Sequence, residues 1–417
     1  MSEMYPIANR ASSRRLFLGA ATAAGALRVA GAQDRIRVGV IGTGPRGQYL
    51  MKQLQKIGGV EFPAVCDVYD VRRAQAAEIA GGRAEGYGDH RAVVERADLD
   101  AVIVATPDHW HAPITIDALR AGKDVYVEKP MVHKPEDGLA IIRAARAGKR
   151  IVQVGMQGRG LPQFLEPKRR YIDTGIIGKV GLVRTWYTSN QGYIQAPPSG
   201  MDRKPDGLDW DRWLGPAPWR PYHSSYVRGG WRNFYDFHGG GILEWGAHTV
   251  VLCHWAADLD DTQPVEYEPV GTNVGPYFVN CRYENGVKLV MRDNGWNGAL
   301  NTGSCSFRIE GDKGWVETGD QTRIECSDNI KPLLRPTEPA SLALENHVKE
   351  FVRCIRERRT PSANAAAAAN SHVTCHAAFI AFQLGKTLTW DPATRAFTNS
   401  DVANNMRTRA LREPWRI

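Results

Sequence analysis

Short apolar runs alternate with stretches of helical periodicity between residues 34 and 155. The apolar runs lie at 34–41, 62–66, 100–106, 124–128 and 150–154. Helical spacing of apolar side chains marks the segments between them, for example 48–57 and 135–147. Because short buried strands separated by helices are typical of a parallel sheet covered on both faces, we predict an α/β domain with a doubly wound parallel sheet over 34–155.

A different pattern occupies residues 156–417. Strand-like runs, several of them joined by turns that contain glycine, come first at 179–189, 265–270, 277–283, 287–292, 304–310, 314–317 and 322–326. Two long helical stretches follow at 342–359 and 363–384. We predict a second α/β domain over 156–417, whose late helices can pack back onto the first domain.

The first strand ends in a glycine-rich turn. Gly42, Gly44 and Gly47 form the pattern G-x-G-x-x-G between this strand and the helix at 48–57. Gly42 permits a tight turn, Gly44 lets the backbone approach a pyrophosphate, and Gly47 lets the helix pack closely. The N-terminus of the helix favours the negative charge of phosphates. The sequence predicts a Rossmann domain that binds a dinucleotide, with Pro45 and Arg46 among its contacts.

The second strand ends in an acidic residue that bears on the choice of dinucleotide. Asp67 lies 20 residues after Gly47, where a carboxylate can bind the hydroxyls of a ribose. Because a carboxylate repels a 2′-phosphate, we predict NAD as the cofactor. Arg72 and Arg73 follow closely and leave NADP open.

Polar peptides follow the later strands, at 106–111, 128–130 and 155–157. Ligands of open α/β sheets bind at the carboxyl ends of the strands, so these peptides should contact the cofactor. The predicted contacts are Thr106, Pro107, His109, His111, Glu128, Lys129 and Gln157. Arg159 is placed to reach the substrate, although ordinary loop polarity explains Gln157 and Arg159 nearly as well.

The first 32 residues have the pattern of an export signal. Arg14-Arg15 with Phe17-Leu18 precede an apolar stretch and the tripeptide Ala30-Gly31-Ala32, which resembles a twin-arginine signal with its cleavage site. An ordinary signal peptide or a frayed terminal helix is the alternative. We expect a periplasmic or otherwise exported protein without a membrane anchor after removal of the signal, because no later apolar run is long enough to span a bilayer.

The charge balance adds little beyond this signal. Of the formal net charge of +8 in 417 residues, residues 1–32 carry +3, from four arginines against Glu3, which leaves +5. No dense stripe of lysine and arginine follows, so nucleic acid is not an expected partner.

Several ordered motifs resemble one family. Ala105-Thr106-Pro107 with His109 and His111, then Glu128-Lys129-Pro130, and further segments at 208–219, 239–248 and 412–415 resemble the glucose–fructose oxidoreductase and inositol dehydrogenase (Gfo/Idh/MocA) family. The later segments are similar to its signal-bearing branch. The resemblance implies a C-terminal domain with a large open antiparallel-rich sheet. Because a sheet with one uncovered face often pairs with another subunit, we expect a homodimer or homotetramer.

The resemblance also implies catalytic residues. Lys129 matches a lysine near the nicotinamide and the reacting hydroxyl, where an ammonium stabilises an alkoxide or relays a proton. Glu244 and His248 lie four residues apart and share a helix face. The family usually has Asp and His at these places, with the histidine as acid–base, so Glu244 is a departure. Metal binding by this pair with His238 or His254 is the alternative, and we predict no metal.

Aromatic residues between 186 and 255 suggest the substrate. Apolar ring faces and hydroxyl edges of a sugar suit tryptophan and tyrosine interleaved with charged side chains. We predict that Trp231, Tyr235 and Trp245 contact a small-molecule carbohydrate together with Arg159. Ordinary core and loop packing is the alternative explanation for most of the tryptophans taken one by one.

The sequence thus predicts an NAD(P)-dependent oxidoreductase acting on a sugar, glycoside or polyol hydroxyl. An exported enzyme lacks a free pool of soluble NAD, so we expect a tightly held cofactor. A redox-neutral glycosidase or epimerase that oxidises the sugar transiently is the alternative, and a non-catalytic sugar-binding protein is a third.

Overall fold

Two β-sheets, each with its own helices, organise the chain in the computed structural model. The structure describes residues 35–186, 198–227, 229–271, 277–292, 305–320, 323–335 and 343–415. The predicted signal at 1–32 lies outside these ranges, as do the last residues of the strand predicted at 179–189. Ile36–Ile417 groups into one compact unit.

Among the described residues, the first sheet has six strands, each parallel to its neighbours. They are β1 (Ile36–Ile41), β2 (Val60–Cys66), β3 (Glu85–Tyr87), β4 (Ala101–Val104), β5 (Asp124–Val127) and β6 (Val152–Val154). Their order is β3-β2-β1-β4-β5-β6. The central strand β4 is buried throughout, as expected of a parallel sheet covered by helices. The predicted doubly wound parallel sheet is confirmed.

Helices connect these strands. They are α1 (Pro45–Ile57), α2 (Asp70–Ile79), α3 (His90–Val94), α4 (His111–Arg120) and α5 (Pro135–Gly148). Helix α1 begins three residues earlier than predicted, because proline suits the first position of a helix. Gly47 therefore lies in the first turn, where a Cβ atom would come 2.1 Å from the carbonyl oxygen of Gly42. Only glycine allows this close packing of helix and turn.

The second sheet is mixed and mostly antiparallel. Its strands are β7 (Val180–Trp186), β8 (Glu266–Gly271), β9 (Tyr277–Arg282), β10 (Lys288–Arg292), β11 (Phe307–Gly311), β12 (Trp315–Thr318), β13 (Ile324–Cys326), β14 (Leu388–Asp391) and β15 (Ala396–Phe397). Their order is β13-β12-β11-β7-β10-β9-β8-β14-β15. β7 and β10 are parallel, and the other neighbouring described strands are antiparallel. The expected antiparallel-rich sheet is confirmed, and the short strands β14 and β15 extend it beyond the prediction.

Two long helices cover one face of this sheet. The second set of helices is α6 (Pro162–Pro167), α7 (Trp210–Leu214), α8 (Ser224–Val227), α9 (Gly241–Ala256), α10 (Ala343–Glu357), α11 (Ala365–Leu384) and α12 (Asp401–Met406). Helices α9 and α11 pack against each other, and both contact strands of the sheet. No helix in the described ranges combines the length and apolar character needed to cross a membrane.

Helix α10 returns to the first sheet. The ring Nε2 of His347 hydrogen-bonds the carbonyl oxygen of Val154 at 3.0 Å, and the Gln153 side chain donates to the carbonyl oxygen of His347 at 2.8 Å. These bonds join α10 to the edge strand β6. The apolar face of α10 enters the core of the first sheet through Leu344, Val348 and Phe351.

Burial favours the uncharged form of most histidines in the fold. Burial, the largest effect, lowers the pKa of His372 on α11 to about 3 and that of His347 on α10 to about 4, against an ordinary value of 6.5. Burial lowers the pKa of seven of the 11 histidines in this way: His109, His133, His248, His254, His347, His372 and His376. Burial also raises the pKa of three carboxyls, Asp67, Glu136 and Asp137. These carboxyls bind protons more readily in the folded chain, so on acidification they oppose the loss of stability that the histidines cause.

We predict that the free energy of unfolding falls as the pH drops from about 6.5 towards 4. In this window the unfolded chain binds protons on histidines that stay neutral in the folded chain, so stability is full above the unfolded pKa and is lost below it. Each histidine contributes on the order of 1 kcal/mol per pH unit. Urea unfolding at several pH values measures the slope of the unfolding free energy against pH, which reports the number of protons taken up on unfolding. The variant His372→Leu should take up about one proton fewer. A stability that is constant or rises on acidification contradicts the prediction.

Candidate active site

A cleft of about 600 Å³ opens at the carboxyl ends of the first sheet. One wall comes from the turns after β1, β2, β3, β4 and β5. The other comes from residues of the second domain, namely Arg212, Trp213, Val227, Gly229, Trp231, Arg232 and His248. The predicted site residues in its lining are Gly42, Gly44, Pro45, Arg46, Asp67, Thr106, Pro107, His111, Glu128, Lys129, Gln157, Trp231 and His248.

Asp67 closes the glycine-rich turn. Its Oδ2 accepts a hydrogen bond from the Thr43 backbone N–H at 2.8 Å, and its Oδ1 accepts one from the Tyr69 N–H at 3.0 Å. Burial raises the pKa of Asp67, although the Arg72 guanidinium and these hydrogen bonds oppose the shift. Gly42 has a φ of 84°, and a Cβ atom there would lie 2.6 Å from the Thr106 nitrogen. The turn therefore forms a narrow cradle that fits a dinucleotide.

Arg72 stands beside this cradle. A guanidinium nitrogen of Arg72 lies 3.5 Å from the position that a Cβ of Gly44 would take, and Arg72 lines the cleft with Asp67. The negative Asp67 suits the free ribose of NAD, and the positive Arg72 is the group that could accommodate a 2′-phosphate.

Arg46 spans the floor of the cleft. Its Nε donates to Glu128 Oε1 at 2.7 Å, and its Nη2 donates to the Gln157 side chain at 3.3 Å. Burial disfavours the charge of Arg46, but the attraction of Glu128 outweighs it and raises the pKa. Gly155 leaves room for the Glu128 carboxylate, since a Cβ there would lie 2.8 Å from both of its oxygens. The predicted residues Arg46, Glu128 and Gln157 thus form one cluster.

Lys129 connects the two domains. It follows β5, and its Nζ donates to Glu244 Oε1 at 2.8 Å; Glu244 lies in the first turn of α9. Nζ is also 3.4 Å from the Glu244 carbonyl oxygen. His111 supports the lysine loop, because its ring bonds the carbonyl oxygens of Pro130 at 2.7 Å and Thr106 at 2.8 Å. The structure brings the predicted pair Lys129 and Glu244 into direct contact.

Glu244 continues into a buried polar chain. His238 Nε2 lies 3.5 Å from Glu244 Oε2, and His238 Nδ1 bonds Asp108 Oδ2 at 2.5 Å. Burial alone would raise the pKa of Glu244, but the charges of Lys129, His238 and Arg232 outweigh it and hold that pKa below its usual range. Glu244 is therefore an ionised carboxylate.

Three of these side chains also have the composition of a metal site. One ligand atom from each of Asp108, His238 and Glu244 lies within 4.8 Å of the others. The ammonium of Lys129 at 2.8 Å and the guanidinium of Arg232 at 3.4 Å from Glu244 already balance its charge and would repel a cation. We interpret the chain as hydrogen-bonded ion pairs, and the absence of a metal stays a prediction.

His248 lines the cleft one helical turn after Glu244. Burial, and then the positive charge of Lys129, lowers the pKa of His248 to about 3. Its imidazole is consequently neutral at physiological pH and able to accept a proton. The other histidine weighed for this site, His254, is instead buried and bonds the hydroxyl of Tyr283 at 2.6 Å.

The cleft lining lacks six predicted site residues, Gly47, His109, Arg159, Tyr235, Glu244 and Trp245. Glu244 contacts Lys129, which does line the cleft, and the other five differ from the sequence-based expectation. His109 is buried and bonds the Trp213 carbonyl oxygen at 3.0 Å, and it does not line the cleft. Arg159, predicted to bind substrate, is 4% exposed and forms a bidentate pair with Asp260. Tyr235 stacks on Phe379 at 5.5 Å.

Trp245 also lies outside the cleft lining and packs against the apolar core. Gly47 likewise does not line the cleft and acts through helix packing. These residues differ from the neighbouring residues that line the cleft in the direction of their side chains. Spacing in the sequence does not determine that direction.

Other cleft residues were not assigned to the site from the sequence. Asp89, Trp110, Arg212, Arg232 and Trp415 all line it. A signal existed for four of them: Trp110, Arg212 and Trp415 belong to the motifs at 106–111, 208–219 and 412–415, and Arg232 is one of the charged residues interleaved with the aromatic residues. Asp89 and Trp110 stand in turns after β3 and β4, the positions where ligands of such sheets bind.

The fold and the cleft define a two-domain protein of the dinucleotide-binding Rossmann class. The chain belongs to the Gfo/Idh/MocA oxidoreductase family, because the family's NAD-binding Rossmann fold matches residues 36–156 and its C-terminal α/β domain matches residues 177–417. The family resemblance and NAD as cofactor are thereby confirmed.

Individual relatives support the same family. Inositol 2-dehydrogenase 2 of Saccharopolyspora erythraea is 35% identical over 184 residues, 43% of this chain and 53% of that protein. An inositol 2-dehydrogenase of Klebsiella pneumoniae is 33% identical over 255 residues, 60% of this chain and 68% of that protein. The match spans about half the length of the first curated relatives, or less.

A solved structure shows the same fold. An aldose–aldose oxidoreductase from Caulobacter crescentus, complexed with glycerol, is similar with a TM-score of 0.62 and 19% identity. The similarity covers 85% of this chain and 99% of that one.

We predict that Asp67→Asn weakens NADH binding by about tenfold and narrows the preference for NADH over NADPH, since a charged hydrogen-bond acceptor and its repulsion of a 2′-phosphate are both lost. The amide oxygen can still accept from the Thr43 N–H, whereas the bond from the Tyr69 N–H is lost. Fluorescence titration with both nucleotides gives the two dissociation constants, and Glu78→Gln, at an exposed position on α2, is the control. An unchanged ratio of the two constants contradicts the assignment.

Proposed function

We propose that the protein is an NAD(P)-dependent oxidoreductase that acts on a sugar, glycoside or polyol hydroxyl. The observation that carries the proposal is the placement of Lys129 and His248 at the far end of the cleft from Asp67. Asp67 follows β2 and Lys129 follows β5, with β1 and β4 between them. Three strand spacings, about 14 Å, separate the two positions, which suits an extended dinucleotide with its reactive end at Lys129.

The residues at that end divide the work of alcohol oxidation. Bound NAD supplies the acceptor for the hydride that leaves the carbinol carbon. A ring nitrogen of His248, which lines the cleft one helical turn after Glu244, accepts the hydroxyl proton. Nζ of Lys129 donates a hydrogen bond to the oxygen as negative charge develops on it. Glu244 holds Nζ in place, so a longer carboxylate than the family's usual Asp still serves a positioning role.

A wall of the second domain suits a polyhydroxylated substrate. The Arg232 guanidinium lies 4.3 Å from the Trp231 ring centroid, and both residues line the cleft. The aromatic face offers contact to C–H groups, and the guanidinium offers donors to hydroxyl oxygens. The names of the relatives, inositol 2-dehydrogenase and aldose–aldose oxidoreductase, agree with a sugar or polyol substrate.

We further propose export by the twin-arginine route, with the cofactor held through successive turnovers. The proposal is supported by the signal pattern at 12–32. A redox-neutral glycosidase or epimerase would use the same residues and return the hydride to the sugar, so the product distinguishes it from a dehydrogenase.

Homodimer or homotetramer formation is supported by the face of the second sheet opposite α9 and α11. Arg184 and Glu310 pair there at 3.1 Å on neighbouring strands, and the Arg308 guanidinium covers the Trp315 ring at 3.6 Å. These side chains are partly exposed, as at a surface that a second copy would cover.

The test is a mass spectrum of nucleotide released from purified protein, followed by addition of inositols, aldoses and glycosides to the protein with NAD. We expect bound NAD(H) and a rise in reduced-nicotinamide absorbance with at least one substrate. Lys129→Met should lower kcat by about 10²–10³-fold while retaining nucleotide binding. Cleavage or epimerisation without net reduction of NAD identifies the redox-neutral alternative. Failure to bind any nicotinamide nucleotide contradicts the proposed function.

A further inference from the structure

The C-terminal segment 409–415 reaches the dinucleotide cleft. Trp415 lines it, and its ring centroid lies 5.1 Å from that of Trp110 in an edge-to-face arrangement. The Arg91 guanidinium lies 5.4 Å from the Trp415 centroid. The buried indole N–H of Trp415 has no hydrogen-bond partner among the described residues. A large aromatic ring with an unused donor thus borders the cleft.

The position of Trp415 corresponds to the adenosine end. Trp110 contacts His90, with ring centroids 5.4 Å apart, and His90 begins the helix after β3. Strand β3 lies next to β2, which carries Asp67, and away from β5, which carries Lys129. Trp110 follows β4, but Arg91, which lies over the Trp415 ring, belongs to the helix after β3. Because the acidic residue marks the adenosine ribose, this contact puts the ring of Trp415 nearer that ribose than the reacting carbon.

Arg412 fixes the segment to the second domain. Its Nε donates to the Gly215 carbonyl oxygen at 3.0 Å and its Nη2 to the Asp211 carbonyl oxygen at 2.8 Å, and it also pairs with the Asp211 carboxylate. The Arg412 backbone N–H donates to the Pro216 carbonyl oxygen at 2.9 Å. Arg412 itself does not line the cleft. The anchor and the cleft contact are therefore separate residues of one short segment.

We propose that segment 409–415 is a clasp over the adenosine end of the cleft, with Trp415 as its contact residue and Arg412 as its anchor. The clasp rests on the proposed function, since it assumes that NAD(H) occupies the cleft. It gives the chain a means of retaining the cofactor that is independent of the catalytic end, because the dinucleotide leaves only after the segment lifts. The ligand class it recognises is an adenine nucleotide.

The test is the rate of NADH release, followed by fluorescence after mixing loaded protein with excess ADP-ribose. Loss of an aromatic contact to a base should raise the release rate of Trp415→Ala by about tenfold. Arg412→Ala, which removes no atom of the cleft lining, should also accelerate release. Trp219→Ala is the matched control, because Trp219 is 66% exposed and lies outside the cleft; its rate should stay within about twofold of wild type.

A second readout locates the contact. Affinity for ADP should fall in Trp415→Ala, whereas affinity for nicotinamide mononucleotide should not change. Wild-type release from both Trp415→Ala and Arg412→Ala overturns the clasp. Fast release from Trp415→Ala alone also overturns it, because Trp415 would then be a fixed wall. Equal losses of affinity for both half-nucleotides indicate general damage and overturn it as well. Wild-type protein that binds no NADH overturns the proposed function and the clasp together.

Discussion

The ion pair between Lys129 and Glu244 is the constraint on which the site depends. Nζ and Oε1 lie 2.8 Å apart, and the two side chains are 13% and 15% exposed. A charge so far removed from water needs a partner, and loss of one member of a buried pair costs about 3–5 kcal/mol. Because Lys129 belongs to the first sheet and Glu244 to α9, the pair also joins the two domains at the reacting end of the cleft.

The surrounding charges follow from that pair. His238 lies between the carboxylates of Glu244 and Asp108, and Glu128 pairs with Arg46. The positive charge of Lys129, added to burial, keeps His248 neutral. One buried cluster therefore contains a cation that stabilises negative charge and a neutral base that accepts a proton, which is how neighbouring groups acquire opposite roles at one pH.

Patterns within short stretches of sequence were sufficient to predict the features that such stretches build. Strand–turn–helix order determined the glycine-rich turn and Asp67, and the spacing of Glu244 and His248 placed both near the cleft on one helix. Side-chain direction was not predictable. His109 and His111 differ by two positions, yet His111 supports the lysine loop and His109 faces Trp213.

Contacts between residues distant in sequence account for the other differences. Asp108 and His238 meet across 130 positions, and Arg159 meets Asp260 across 101. Tertiary packing creates such pairs, and the pattern of apolar and polar residues along the sequence does not show which distant residues will meet. The position of Trp415 at the cleft has the same origin, because it depends on the bonds of Arg412 to Asp211 and Gly215, which lie 201 and 197 positions away in the sequence.

The most direct test of the account is the coupling free energy between Lys129 and Glu244, measured by urea unfolding of wild type, Lys129→Met, Glu244→Gln and the double variant. If the pair joins the domains, the second substitution should cost little once the first is made, so the coupling should be about 3 kcal/mol, close to the cost of losing one partner. Effects that add within about 0.5 kcal/mol would show that the two residues act independently and would contradict the account.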